Sequence, residues 1–136
     1  MSQAISRLEE LSEAEARHLL GYGSYVGHVG FVQDGTPMIL PVNYLYDDES
    51  IVFRTAEGTP LDRIEGQAVV FEVDTNRPLE TAGWSVLAHG TVERITDETT
   101  VDRLGRGPLR SWAWLGANQW FRITVERISG RRIPES

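Results

Sequence analysis

Residues 24–46 read SYVGHVGFVQDGTPMILPVNYLY, and this stretch decides the fold. Tyr25, Val26, Val29, Phe31 and Val32 are the β-branched and aromatic residues that pack well on a pleated surface. Asp34-Gly35 separates them from a second such run, Met38 to Tyr46, and an Asp-Gly pair between two apolar runs is a strong hairpin signal. The spacing predicts two antiparallel strands, Ser24–Val32 and Met38–Tyr46. Pro41 falls inside the second. Proline has no N–H to give to a ladder, so this strand is expected at an edge or a bulge there.

Working outward, Ser12 with Glu15 three residues on is a capping-box signature, and Ala16, Leu19 and Leu20 continue a short helix to about Leu20. Gly21 and Gly23 end it. After the hairpin, Asp47-Asp48-Glu49 makes a turn and Ile51–Thr55 a third strand. Ala56-Glu57-Gly58 is a loop. Thr59-Pro60-Leu61-Asp62 reads as an N-cap, a proline at the first helical position and an acid in the first turn, which predicts a short helix to about Glu65, stopped by Gly66. Ala68–Val73 is a buried-looking strand, Asp74–Gly83 a polar loop, and Trp84–Ile95 a long strand with a bulge or bend at Gly90. Thr96-Asp97-Glu98 caps a last helix to about Leu104. Gly105–Asn118 is irregular, and Gln119–Val125 and Ile128–Ile133 close the sequence as two strands. Six or seven strands with short helices between them point to a small, mainly β barrel.

The chain has 136 residues, enough for one domain, with a helical region over 1–22 and the barrel over 23–133. A net charge of −7 opposes nucleic acid and anionic membranes, so no nucleic-acid or membrane partner is expected. No apolar run approaches the ~20 residues of a membrane helix, and residues 1–20 lack the basic head of a signal peptide. The expected location is cytoplasmic. Cysteine is absent, which excludes disulfides and thiolate chemistry. His18, His28 and His89 lack metal-ligand spacing, so no metal is expected.

The order of several short blocks resembles the pyridoxamine 5′-phosphate oxidase-like FMN-binding split barrels, in particular the short branch that includes 5-nitroimidazole reductases. The blocks are Val29-Gly30-Phe31, Pro41-Val42-Asn43-Tyr44, Val52 to Thr59, Val70 to Asp74, Gly83 to Gly90, and Ile128 to Arg132. The resemblance implies a split barrel of Greek-key type and a homodimer with FMN in clefts at the subunit interface. It further implies that Pro41, Val42 and Asn43 lie along the flavin ring, and that Arg54, Thr55, Gly58 and Thr59 hold the ribityl phosphate. Trp84 and Ser85 would reach the flavin from the partner subunit.

The residue types suit such a site. A phosphate needs converging N–H groups, hydroxyls and preferably a cation. A strand end feeding a helix start supplies the first two, and Arg54 offers a planar fork of donors. The same residues also suit a plain helix cap and a solvated arginine. Trp84, Trp112, Trp114 and Trp120 offer flat surfaces for a ring or for the core, and Asn43 can meet a flavin edge or hold a turn. One position departs from the branch: Pro60 stands where a lysine or arginine is usual. Arg54, Arg63 or the Arg131-Arg132 pair is the candidate replacement. The Arg103, Arg106, Arg110 group lines the cleft, contacts the partner or lies on the surface.

The expectation is an FMN-dependent flavoprotein oxidoreductase acting on a small molecule, with no catalytic side chain named, because the redox chemistry belongs to the cofactor. A deazaflavin-dependent reductase of the same fold and a non-enzymatic ligand-binding dimer are the alternatives.

Overall fold

The computed structural model describes residues 8–22, 26–77, 82–109 and 118–133. In chain order the elements are β1 (Glu9–Glu10), α1 (Glu13–Tyr22), β2 (Val26–Gln33), β3 (Thr36–Asp47), β4 (Ser50–Thr55), a 3₁₀ turn (Pro60–Arg63), β5 (Ala68–Arg77), β6 (Ala82–Arg94), α2 (Glu98–Gly105) and β7 (Gln119–Ile133). The strands form one antiparallel sheet in the order β1-β7-β4-β3-β2-β5-β6, and an additional β6–β7 pairing closes β2 to β7 into a ring. The result is a mainly β split barrel with two short helices.

Local chemistry explains most element ends. The capping box at α1 is formed: the Ser12 N–H donates to Glu15 Oε1, and the Glu15 N–H donates to Ser12 Oγ, both at 3.1 Å. Asp34 and Gly35 both take positive φ, 52° and 76°, as a tight hairpin turn requires. At α2, Asp97 accepts the Thr100 N–H at 3.0 Å. The core fills the ring: Val29, Phe31, Tyr44, Ile51, Phe53, Phe71, Val73, Val86, Phe121 and Ile123 are all buried, with Ala16 and Leu20 of α1 closing one opening. A second cluster lies outside the ring, where Val52, Ile95, Leu104, Leu109 and Trp120 pack together beneath α2.

Pro41 lies on a free edge, as expected. β3 pairs with β2 through Asn43, but its ladder to β4 begins only at Tyr44–Phe53, so the outer edge of Thr36–Asn43 has no strand beside it among the described residues. The bulge at Gly90 is also present, as a register shift between His89 and Gly90. A Cβ there would run into the Thr124 carbonyl oxygen.

Three expectations are corrected and one element is new. Asp74–Gly83 is not a loop throughout, because the β5–β6 ladder extends to Arg77–Ala82; polar residues suit this stretch because Asp74 and Thr75 face solvent. The helix after Thr59 is only the four-residue 3₁₀ turn. The two closing strands are one 15-residue strand, β7, in which Glu126 is the extra, unpaired residue of a bulge opposite His89–Gly90 and Arg127 pairs with His89. And β1, which no pattern signalled, pairs Glu9 with Arg132 and Glu10 with Arg131.

Candidate cofactor site

The fork where β3 and β4 part sets the first half of the site. Asn43 is the last β3 residue before the Tyr44–Phe53 ladder, and on β4 Arg54 and Thr55 follow Phe53, so the free edge at Pro41–Asn43 lies beside the strand end that leads to Gly58 and Thr59. Val42 and Tyr44 point into the core, which turns Pro41 and Asn43 outward. The Asn43 amide makes no hydrogen bond among the described residues.

Arg54 and Thr55, adjacent on a strand, face opposite ways. The Arg54 guanidinium stacks over Trp120, 4.4 Å from the ring centroid, and its Nη1–H donates to the Leu109 carbonyl at 2.8 Å. Burial lowers its pKa from the usual arginine value. Arg54 therefore braces the outer cluster under α2. Thr55 is buried instead, and its Oγ1 lies 2.6 Å from Thr59 Oγ1. The Thr59 hydroxyl donates to the Ala56 carbonyl at 2.9 Å, so the Thr55 hydroxyl is the donor of the pair. Thr59 occupies the N-cap place with no side-chain cap bond.

Gly58 takes a φ of 83°, which suits glycine in this turn, and its N–H donates to Asp62 Oδ2 at 2.9 Å. Sequence reading placed Asp62 only as a first-turn acid. In the fold its other oxygen accepts from Arg94 Nη1 at 3.1 Å, and its carbonyl accepts from Arg94 Nη2 at 2.9 Å. The Gly58 N–H bond, aided by Arg94 and opposed by partial burial, holds the Asp62 carboxyl below its usual range. Arg94 also meets Glu65 at 3.2 Å and Gln119 at 2.6 Å. Burial opposes its charge, yet Asp62 and Glu65 outweigh it and raise its pKa.

The turn thus has its own anion. Both threonine hydroxyls and the Gly58 N–H are committed internally, Pro60 offers neither N–H nor cation, and Arg94 is held by Asp62, Glu65 and Gln119. Among the cations considered for replacement, Arg54 is engaged as above and Arg132 meets Glu9 and Glu15 at 3.4 and 3.6 Å. Arg63 and Arg131 are exposed and make no ion pair among the described residues. As it stands, the turn does not present the donors that a phosphomonoester needs, while the free edge at Pro41–Asn43 does fit the polar rim of a ring system.

Trp84 and Ser85 form the second half, at the start of β6. They lie on opposite faces. Trp84 packs partly against the main core with Val86 and Ala88, while Ser85 faces outward, opposite Asp74 and Arg131. From Ser85 to Arg94, the residue that reaches Asp62, is roughly 30 Å along the strand. One chain therefore does not bring Trp84 and Ser85 to the Thr55–Thr59 turn. Trp112, Trp114 and Arg110 lie outside the described residues. Arg103 is paired with Asp47 at 3.1 Å.

Residues 12–132 match the family model described as pyridoxamine 5′-phosphate oxidase. The chain belongs to the pyridoxamine 5′-phosphate oxidase-like family. A solved FAD-binding protein from Mycobacterium smegmatis is 30% identical, with a TM-score of 0.72 over 93% of this chain and 99% of that one. An FAD-binding protein from Mesorhizobium loti is 25% identical, with a TM-score of 0.76 over 94% and 98%. An uncharacterised protein of Mycobacterium tuberculosis is 29% identical over 137 residues, covering 96% of this chain and 89% of its own. Within this family the split-barrel reading of the strand order holds. No helix among the described residues is long and apolar enough to cross a membrane.

Proposed function

We propose that this family member is a flavin-nucleotide-dependent oxidoreductase that works on a small molecule as a homodimer. The observation that carries the flavin reading is the family match over residues 12–132, together with the two FAD-binding relatives of 25–30% identity. FMN is the nucleotide that the resemblance of the sequence implies, and FAD is the one named for those relatives. A bound flavin supplies the hydride and electron chemistry. The chain's own part is to offer the free edge at Pro41–Asn43 and the Asn43 amide to the ring, and to exclude water from it.

The division of the site supports the dimer. Residues of the fork and residues of the β6 start meet only if a second copy brings its Trp84–Ser85 end to the first copy's fork. The sheet between them carries exposed apolar side chains, Val26, Val32 and Ile39, the last 72% exposed, as a covered face would.

The test is direct. Purified protein titrated with FMN and FAD should quench flavin fluorescence, show a melting temperature that rises with flavin concentration, and sediment as a dimer. Bound flavin should be reduced by a nicotinamide donor and reoxidised by a small acceptor such as a nitroaromatic. Uptake of deazaflavin alone would transfer the reading to that cofactor, which the missing cation at Pro60 favours. Binding without turnover would make the protein a ligand-holding dimer. No uptake of any flavin or deazaflavin nucleotide would end the redox assignment.

A further inference from the structure

The departure at Pro60 has a counterpart that only the fold displays. Asp62 sits four residues from Gly58 and takes the Gly58 N–H, while its second oxygen takes Arg94. A carboxylate thus occupies two of the contacts that a bound phosphate group would use, a backbone N–H in a glycine turn and a guanidinium. The charges around the turn do not offset it. Arg94 pairs with both Asp62 and Glu65, and Glu57 and Arg63 add one charge of each sign, so these five side chains carry a net charge of −1.

We propose that Asp62 sets cofactor choice in this chain, biasing the site against FMN and toward a flavin whose phosphates are diesters, as in FAD. This rests on the flavin reading above. The physical basis is charge density. A phosphomonoester carries about −1.5 to −2 at neutral pH because its second pKa is near 6, whereas each phosphate of a diphosphate diester carries about −1. A fixed carboxylate in contact with the turn penalises the first more than the second, and does not act on riboflavin, which has no phosphate. Pro60 reinforces the bias, since the position that would add a cation adds none. The residue acts through the turn and Arg94 and is a positioning residue.

The experiment titrates the full chain with riboflavin, FMN and FAD by fluorescence quenching, for the natural protein, Asp62→Asn and Pro60→Lys. Asparagine keeps an acceptor for the Gly58 N–H while removing the charge. The natural protein is expected to bind FAD more tightly than FMN, and FMN no more tightly than riboflavin. Asp62→Asn should raise FMN affinity roughly tenfold and leave riboflavin within about twofold, since one like charge near a partly exposed phosphate is worth about one such step. Pro60→Lys should shift the FMN-to-riboflavin ratio in the same direction, which checks that the phosphate lies at this turn, and Asp62→Ser takes the place of Asp62→Asn if the latter loses its circular-dichroism signature of a folded barrel. If flavins bind but a folded Asp62 variant leaves that ratio unmoved, or if the natural protein prefers FMN to FAD, the assignment to Asp62 falls and the flavin reading stands. If no flavin binds to any of the three, both fall.

Discussion

The Tyr44 hydroxyl donates to the carbonyl of Leu20 at 2.6 Å, and both partners are buried. This bond ties the last turn of α1 to the strand that forms the fork. Tyr44 also meets the Phe71 ring edge-on at 4.8 Å, so the helix, β3 and β5 converge on one side chain.

Tyr44→Phe removes that donor from the buried Leu20 carbonyl. We expect a loss of about 1–3 kcal/mol in urea unfolding, with the fold kept. Burial pushes the Tyr44 hydroxyl up to about 12 from an ordinary 10. Because the unfolded chain ionises first, this component of stability is intact below pH 10 and disappears as pH climbs toward 12. The alkaline part of the unfolding profile should be shallower in Tyr44→Phe.

Glu72 behaves in the same sense at lower pH. Desolvation first, then its hydrogen bond with Asp74 and the charge of Asp74, push its carboxyl up to about 7 from 4.5. His28 Nδ1 lies 3.5 Å away on β2. A raised carboxyl favours the fold fully below pH 4.5 and loses that contribution as pH rises through 7. Glu72→Gln should flatten the fall in stability between these values and leave the protein more resistant to urea at pH 8.

The turn between β3 and β4 is built from the wrong residues for its shape. Asp48 and Glu49 take φ of 49° and 62°, a region that L residues enter at a cost of roughly 1 kcal/mol each. Glu49→Gly should raise the melting temperature by a few degrees. Loss of the 3.9 Å Glu49–Arg17 pair matters little, because Glu49 is largely exposed.

Gly90→Ala should do the reverse. Its Cβ would meet the Thr124 carbonyl and, at 2.8 Å, Ile123 Cγ2. Neither backbone nor a packed core methyl yields easily, so we expect a loss of about 1–3 kcal/mol or more, read as a lower urea midpoint.

Ile39→Asp tests the covered face. Ile39 is 72% exposed, so the monomer fold should be unchanged by circular dichroism. A homodimer using this face would dissociate in sedimentation velocity, and flavin affinity would drop with it.

How much of this was legible depends on range. Asp34-Gly35, Ser12 with Glu15, and Gly90 each state their geometry within a few residues, because φ preference, capping and close approach are local. The β5–β6 extension through Asp74 and Thr75 was not, since residues paired in an exposed ladder look like a loop. Glu126 and Arg127 imitate a turn because both are exposed and Glu126 is the unpaired residue of the β7 bulge. At the site, the residue types of Thr55, Gly58 and Thr59 suggested phosphate, but whether their donors are available is decided by Asp62 and by Arg94, which lies 32 residues further on. Trp84 and Ser85 stand next to each other in sequence, and strand alternation alone indicates that their side chains point to opposite faces of β6.

The long strand β7 pairs with β1, β4 and β6. Since it follows the others in the chain, a nascent chain has α1 and β2 to β6 in hand while the facing borders of β4 and β6 remain open, and ring closure waits for residues 119–133 to leave the ribosome. During that interval those borders are templates for another chain, and a stop codon before Gln119 should yield inclusion bodies rather than a smaller soluble barrel.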